Sequence, residues 1–250
     1  AMSFLPSVDN LTILKAETFF RAEGSTHYRA LGEVSAFSWS QEVDTLDKYS
    51  SRSGIATKLL DVVTKVDAKV SMTMDELSAP NMAAGLMATS QALTQNGDTS
   101  ATHSAGDVVA GEAVDLGAID ISNVSVADES SNTLVDGTEV TVYASGGVLR
   151  FLTDKSCVTI TYDSAQIDTT DGRQALAVLQ QARGIRGEIL LDGTSPRGKR
   201  YKVSKMKLDL RPSGEIGFIS EEFASLGLEG SVVKNEAYPD TPYGEVIELV

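Results

Sequence analysis

One cysteine, Cys157, in a chain of 250 residues leaves no possibility of an intrachain disulfide framework. Its place in the strand-like "CVTITY" reads as a small buried hydrophobe. Histidine is almost as scarce. His27 and His103 sit in no HExxH, Cys/His or G-x-S-x-G setting, which removes zinc and serine hydrolases from consideration. No stretch approaches the ~18 apolar residues of a membrane span, and the N-terminus lacks a basic-then-apolar signal. A soluble protein made in the cytoplasm is expected. Ala1 ahead of Met2 reads as an added residue. Aromatics make up only 6% of the chain, whereas 21 glycines suit an architecture with many turns.

Basic residues are missing from one long interval. Residues 70–149 hold eleven acids and no Lys or Arg, while 150–211 hold seven acids and twelve bases. Residues 212–250 return to eight acids and one Lys. The net charge of -14 makes the chain a poor candidate for gripping phosphates. Its segregated acidic and basic stretches suit either solvated loops or surfaces that mate with copies of the same chain, head to tail.

What is present is strand pattern. From Val62 to Asp75, Val62, Val66, Ala68, Val70, Met72 and Met74 share one parity, and Lys65, Asp67, Lys69, Ser71, Thr73 and Asp75 the other. "LGEVSAFSWSQEV" predicts a strand partly covered on both sides. "LSAPNMAAGLMATSQAL" predicts a helix with Ser78 as N-cap and Pro80 in the first turn. "TQNGDTSATHSAGD" reads as a loop. Short strands follow in "AIDISNVSV", "TEVTVYA", "GVLRFLT" and "CVTITYD", a β-rich insertion at about 98–168. "DGRQALAVLQQAR" predicts a second short helix. "RGEILLDG", "KRYKVSKMKLDL" and "GEIGFISEEFASLGLEGSVV" predict closing strands. Tyr201 and Val203 take one parity and Met206, Leu208 and Leu210 the other, which predicts a β-bulge. The fold class expected is mainly β: a sandwich or barrel with one or two short flanking helices, a long extended loop and the insertion.

Motifs with chemistry are wanting. "GTSPRGKR", residues 193–200, matches a phosphate loop until Arg200 takes the place of the magnesium-holding Ser or Thr, and a strand pattern follows where a helix must stand. A glycine-rich hairpin is the better reading. The sequons at Asn10 and Asn123 carry little weight without a secretory signal. No catalytic constellation, metal site or cofactor is expected, and the chain reads as a non-enzyme.

One segment asks for a reason. "TLDKYSSRSGIATKLLD", residues 45–61, separates two strand patterns by far more than the two to five residues of a tight hairpin. With its surroundings, residues 31–87, it resembles the major tail tube proteins of long-tailed bacteriophages, in which a strand is followed by T-L-D-x-Y-S-S-R-S-G, an alternating strand, D-E and a helix. "GEILLDGTSPRGKRYKVSKMKLDLRPSGEIGFISEEFASLGLEGSVV" resembles their C-terminal half.

The resemblance implies a single tail tube domain across the chain, joined edge to edge in hexameric rings that stack head to tail in the virion. It also implies tape measure, tail terminator and tail tip proteins as partners, no membrane, and viral DNA passing through the lumen without specific binding. Thr45–Leu60 would be an assembly arm reaching a neighbouring ring, with Leu46, Tyr49 and Ile55 filling apolar spots and Asp47, Lys48 and Arg52 making polar rim contacts. An adhesin-like or carbohydrate-binding module in the insertion is the alternative, and a secretion-system tube is a related one.

Overall fold

Branched and aliphatic residues at every second position build the strands, and the rest of the architecture follows from how those strands pair. A computed structural model describes residues 11–52, 54–181 and 184–249. Ala1, Met2 and the sequon at Asn10 fall outside them. The chain divides into unit 1, residues up to 90 together with those from 176 onward, and unit 2, residues 91–175. The fold is mainly β, as expected.

Unit 1 begins with β1 (Ala16–Ala22), β2 (Arg29–Ala30), β3 (Val34–Tyr49), β4 (Lys58–Met74) and α1 (Ala79–Gly85). β5 (Thr89–Ala92) leads out of it. Unit 2 holds β6 (Asp98–Val108), β7 (Ala113–Asp115), β8 (Ile121–Ala127), β9 (Val140–Tyr143), β10 (Val148–Phe151) and β11 (Lys155–Ser164). β12 (Gln174–Ala177) pairs with β5 and brings the chain back. Unit 1 then finishes with β13 (Ile185–Gly193), β14 (Arg200–Ser213), β15 (Leu226–Val233) and β16 (Glu245–Leu249).

In unit 1 the strands lie in the order β2-β1-β13-β14-β15-β4-β3, with β16 paired to β14. All the pairings are antiparallel. One face of this sheet is the core: Phe20, Val70, Met72, Ile189, Met206, Leu208, Leu210 and Leu228 are buried together. The other face is polar, with Lys207 bonded to Glu23 at 2.6 Å and Arg186 3.2 Å from Asp209. The expected bulge is present: Ile189 faces Met206 but Leu191 faces Val203, and Lys205 adopts φ 63. Tyr201 and Val203 therefore change parity without leaving the strand. "GTSPRGKR" is the turn between β13 and β14, with Gly198 at φ 83.

Helix α1 is shorter than its sequence pattern. Ser78 stands at the N-cap position without a side-chain cap bond, and Met87 turns left-handed at φ 47, after which β5 begins. Gly85 lets the helix close on β15, since a Cβ there would lie 2.1 Å from Leu226 Cδ1. Asn81 fixes the helix to the sheet. Fully buried, its Nδ2 donates to the carbonyls of Leu31 at 2.8 Å and Glu76 at 2.9 Å, and its Oδ1 accepts from Arg29 Nη1 at 2.8 Å. Asn81→Leu would strand two carbonyls and a guanidinium that burial already holds below its usual pKa. We expect it to destabilise the chain by about 2–4 kcal/mol, read as a lower urea midpoint with an unchanged slope.

Unit 2 pairs β7-β10-β9 and β6-β11-β8, with Ile121, Val126, Leu149, Phe151, Val158 and Ile160 in its core. It spans 91–175, against the 98–168 of the sequence reading. Several expectations are corrected here. The Ser/Thr/Gly stretch read as a loop supplies β6, held by its long pairing with β11 rather than by its own propensity. The second helix is absent from 171–181: a 3₁₀ turn at Thr169–Asp171, capped by Asp168, leads into β12. Good helix formers lose to the partner strand β5. Cys157 is exposed, because a register shift between Lys155 and Val158 turns it out at φ 50.

Candidate assembly surfaces

The stretch expected to be an extended loop is mostly strand. β3 and β4 pair from Val34↔Met74 out to Tyr49↔Lys58, which leaves 50–57 as the connecting tip. β15 supports β4 only between Met74 and Lys69. Beyond Lys69 the two strands run on as a ribbon without a third strand. Thr45, Leu46 and Tyr49 suit a strand, which is why the hairpin reaches further than its polar tip suggested. Two-stranded ribbons are marginal in water without a covered apolar face.

This ribbon has apolar patches on both faces. On the core side, Phe37 faces Met72, Trp39 faces Val70, and Val43 faces Val66. The core ends near Ala68, and outside it Val43 and Val66 are exposed, Val66 by 65%. On the other side Ser38 bonds Ser71 at 2.7 Å and Lys69 bonds Glu42 at 2.6 Å, which makes a polar face. A register shift then intervenes: Asp44 faces Lys65, but Thr45 faces Val63. The bulge flips one strand relative to the other. Past it Leu46 faces Val62 and Lys48 faces Leu60 on the formerly polar side, so the apolar stripe changes face along the arm. Leu46, Leu60 and Val62 are exposed. The alternation of Val62 to Asp75 is thus dry only from Ala68 inward.

The six residues singled out for assembly lie along this outer segment. Leu46, Asp47, Lys48 and Tyr49 end β3, and Arg52 and Ile55 are in the tip, with Ile55 exposed by 78%. Ser53 between them falls outside the described residues. Asp47 does not serve as a free rim charge: Lys58 Nζ reaches it at 2.8 Å and also holds Asp61 at 3.0 Å. Leu59 and Val63 are exposed beside them, and Val62 and Val66, read from the sequence as part of a dry strand face, are exposed as well. β3 is an edge strand, and the partial cover expected on its faces is thin. Trp39 is exposed, and Phe37 is only half-buried.

A second uncovered surface was missed. Residues 214–225, expected to be strand, connect β14 to β15 as an irregular loop. Phe218, Ile219 and Phe223 stand out from it, Ile219 by 99%. Glu221 and Glu222 lie between them.

A densely bonded polar cluster surrounds Glu188, buried on the polar face of the sheet. Its Oε2 accepts from Arg21 Nη2 at 2.5 Å and from the Tyr28 hydroxyl at 2.8 Å, and its Oε1 accepts from Asn235 Nδ2 at 2.7 Å. Arg21 also stacks over the Tyr28 ring at 4.9 Å. Burial, and then the bond to Glu188, push the Tyr28 phenol up to about 12. The neutral phenol is therefore favoured by the fold. Its contribution is whole below the ordinary value of ~10 and is lost as pH climbs from there through about 12. Ultraviolet titration should find one tyrosine ionising late, together with a fall in thermal stability over that window. The cluster is a clamp between the first strand and the C-terminal segment, with every Glu188 oxygen already engaged.

Chemistry is otherwise sparse. Among the described residues no group of three His, Cys, Asp or Glu could hold a metal ion, and no helix is long and apolar enough to cross a membrane. His27 is exposed. Phe151 and Tyr162 belong to the core of unit 2, whereas Tyr143 is exposed at the end of β9. The family described as "Protein of unknown function UCP028589" matches residues 13–246. No curated protein matches the chain.

Proposed function

The chain belongs to this family, and from its residues we propose that it is a structural protein that assembles with copies of itself into stacked hexameric rings, the hollow tail tube of a long-tailed bacteriophage. The observation that carries the reading is the arm. A ribbon whose apolar stripe is uncovered on one face near its base and on the other near its tip needs two covers, and neighbouring copies in a stacked assembly supply both. The free edge of β3 supports it as well, since pairing with a neighbour's sheet removes an exposed template. The "TLDKYSSRSG" signature points the same way. On this reading the protein resides in the virion. Tape measure, terminator and tip proteins bound the tube, and DNA passes through a lumen that does not grip phosphate.

Negative-stain microscopy of concentrated, tag-free protein tests it. Hollow rods or six-fold rings are expected. A chain that stays monomeric at every concentration and ionic strength would sink the reading. Rods should shorten as salt rises, because contacts between exposed charges are screened beyond ~10 Å at 0.1 M.

A further inference from the structure

The two uncovered surfaces of unit 1 lie at opposite ends of one line. β4 starts at the arm tip with Lys58 and finishes at Met74, and Met74 pairs with Leu226, the residue that follows the 214–225 loop. The 17 residues of β4, at ~3.3 Å each, separate tip from loop by roughly 50 Å. A chain cannot fold its own loop onto its own arm.

Their chemistry is complementary. Residues 45–60 hold Lys48, Arg52 and Lys58 against Asp47 alone. Lys58 is engaged by Asp47 and Asp61, whereas Lys48 and Arg52 form no ion pair among the described residues. Residues 212–233 hold Glu215, Glu221, Glu222 and Glu229 and no base. Beside these charges each surface offers apolar side chains: Leu46, Leu60 and Val62 on the arm, and Phe218, Ile219 and Phe223 on the loop.

Resting on the tube reading, we propose that the 214–225 loop of one copy is the seat for the arm tip of the next. Phe218, Ile219 and Phe223 cover Leu46, Leu60 and Val62, while Glu221 and Glu222 face Lys48 and Arg52. Such a contact is heterologous: each copy offers an arm at one end and a seat at the other. It repeats without closing and so propagates along the strand direction. Edge pairing through β3 is a separate contact and accounts for the rings.

Cross-linking tests the seat. In a Cys157→Ser background, which removes the exposed native thiol, Leu46→Cys and Phe218→Cys are made as separate proteins, mixed and mildly oxidised. A mixed disulfide several-fold above the dimer formed by either protein alone is expected. In parallel, Glu221→Lys with Glu222→Lys should abolish rods, and adding Lys48→Glu with Arg52→Glu should restore them. Wild-type rods without a mixed cross-link, or reversal variants that polymerise normally, overturn the seat and leave the tube reading standing. Wild-type protein that never forms rods overturns both.

Discussion

Excising residues 44–65 and closing the gap with Asn-Gly should leave a folded chain that no longer forms rods. Val43 and Val66 face each other across the hairpin, so a two-residue turn joins them without changing the register inward of that pair. Nothing removed belongs to the buried core of unit 1. The unfolding free energy should stay within about 1 kcal/mol of the parent, as for surface changes away from the core. Assembly should respond differently, since the excision takes away Leu46, Leu60 and Val62 together with Lys48 and Arg52. At concentrations where the parent sediments as polymer, the excised chain should sediment as a monomer. Rods from the excised chain would remove the arm from the assembly contact.

The arm also shows how far the sequence could be read. Alternation located the inner part of β4, from Val66 to Met74, where the side chains keep one period, but alternation cannot tell a face covered by its own core from one left for a neighbour. Val66 and Val70 look alike in the pattern, yet one is exposed and the other buried. The bulge at Lys205 was legible because Val203 and Met206 break parity within one strand. The shift between Asp44 and Thr45 was not, because it needs the register of two strands at once. Phe218, Ile219 and Phe223 fall in a stretch whose pattern predicts strand, since hydrophobicity reports a wish for cover and not its source. β6 and β12 were missed where pairing overrode local preference, with Thr, Ser and Ala in the first and good helix formers in the second. Six of the outer-arm residues were found from the family resemblance. The second surface left no signature at all.

Removing the Glu188 carboxylate should produce a loss of stability as large as that from removing the Asn81 amide. The group gathers Arg21, Tyr28 and Asn235, which come from widely separated parts of the chain, so its cost is invisible in any local pattern. Glu188→Ala would leave a guanidinium, a phenol and an amide facing a hole. Breaking a buried pair typically costs 3–5 kcal/mol, and since the Arg21 side chain keeps 27% of its exposure, the lower end, about 3 kcal/mol, is expected. In a chain of this size that corresponds to a melting temperature lower by roughly 6–12 °C. Glu188→Gln keeps an acceptor but loses the charge, and it should fall between. The Tyr28 phenol should move back from about 12 toward its ordinary value in both variants, because the bond to Glu188 is among the causes that raise it. Arg21→Ala combined with Glu188→Ala should cost less than the two single changes summed, as expected for groups sharing one contact. Additive losses, or a Glu188→Ala chain that melts with the parent, would show that the clamp contributes nothing to holding the first strand against the C-terminal segment.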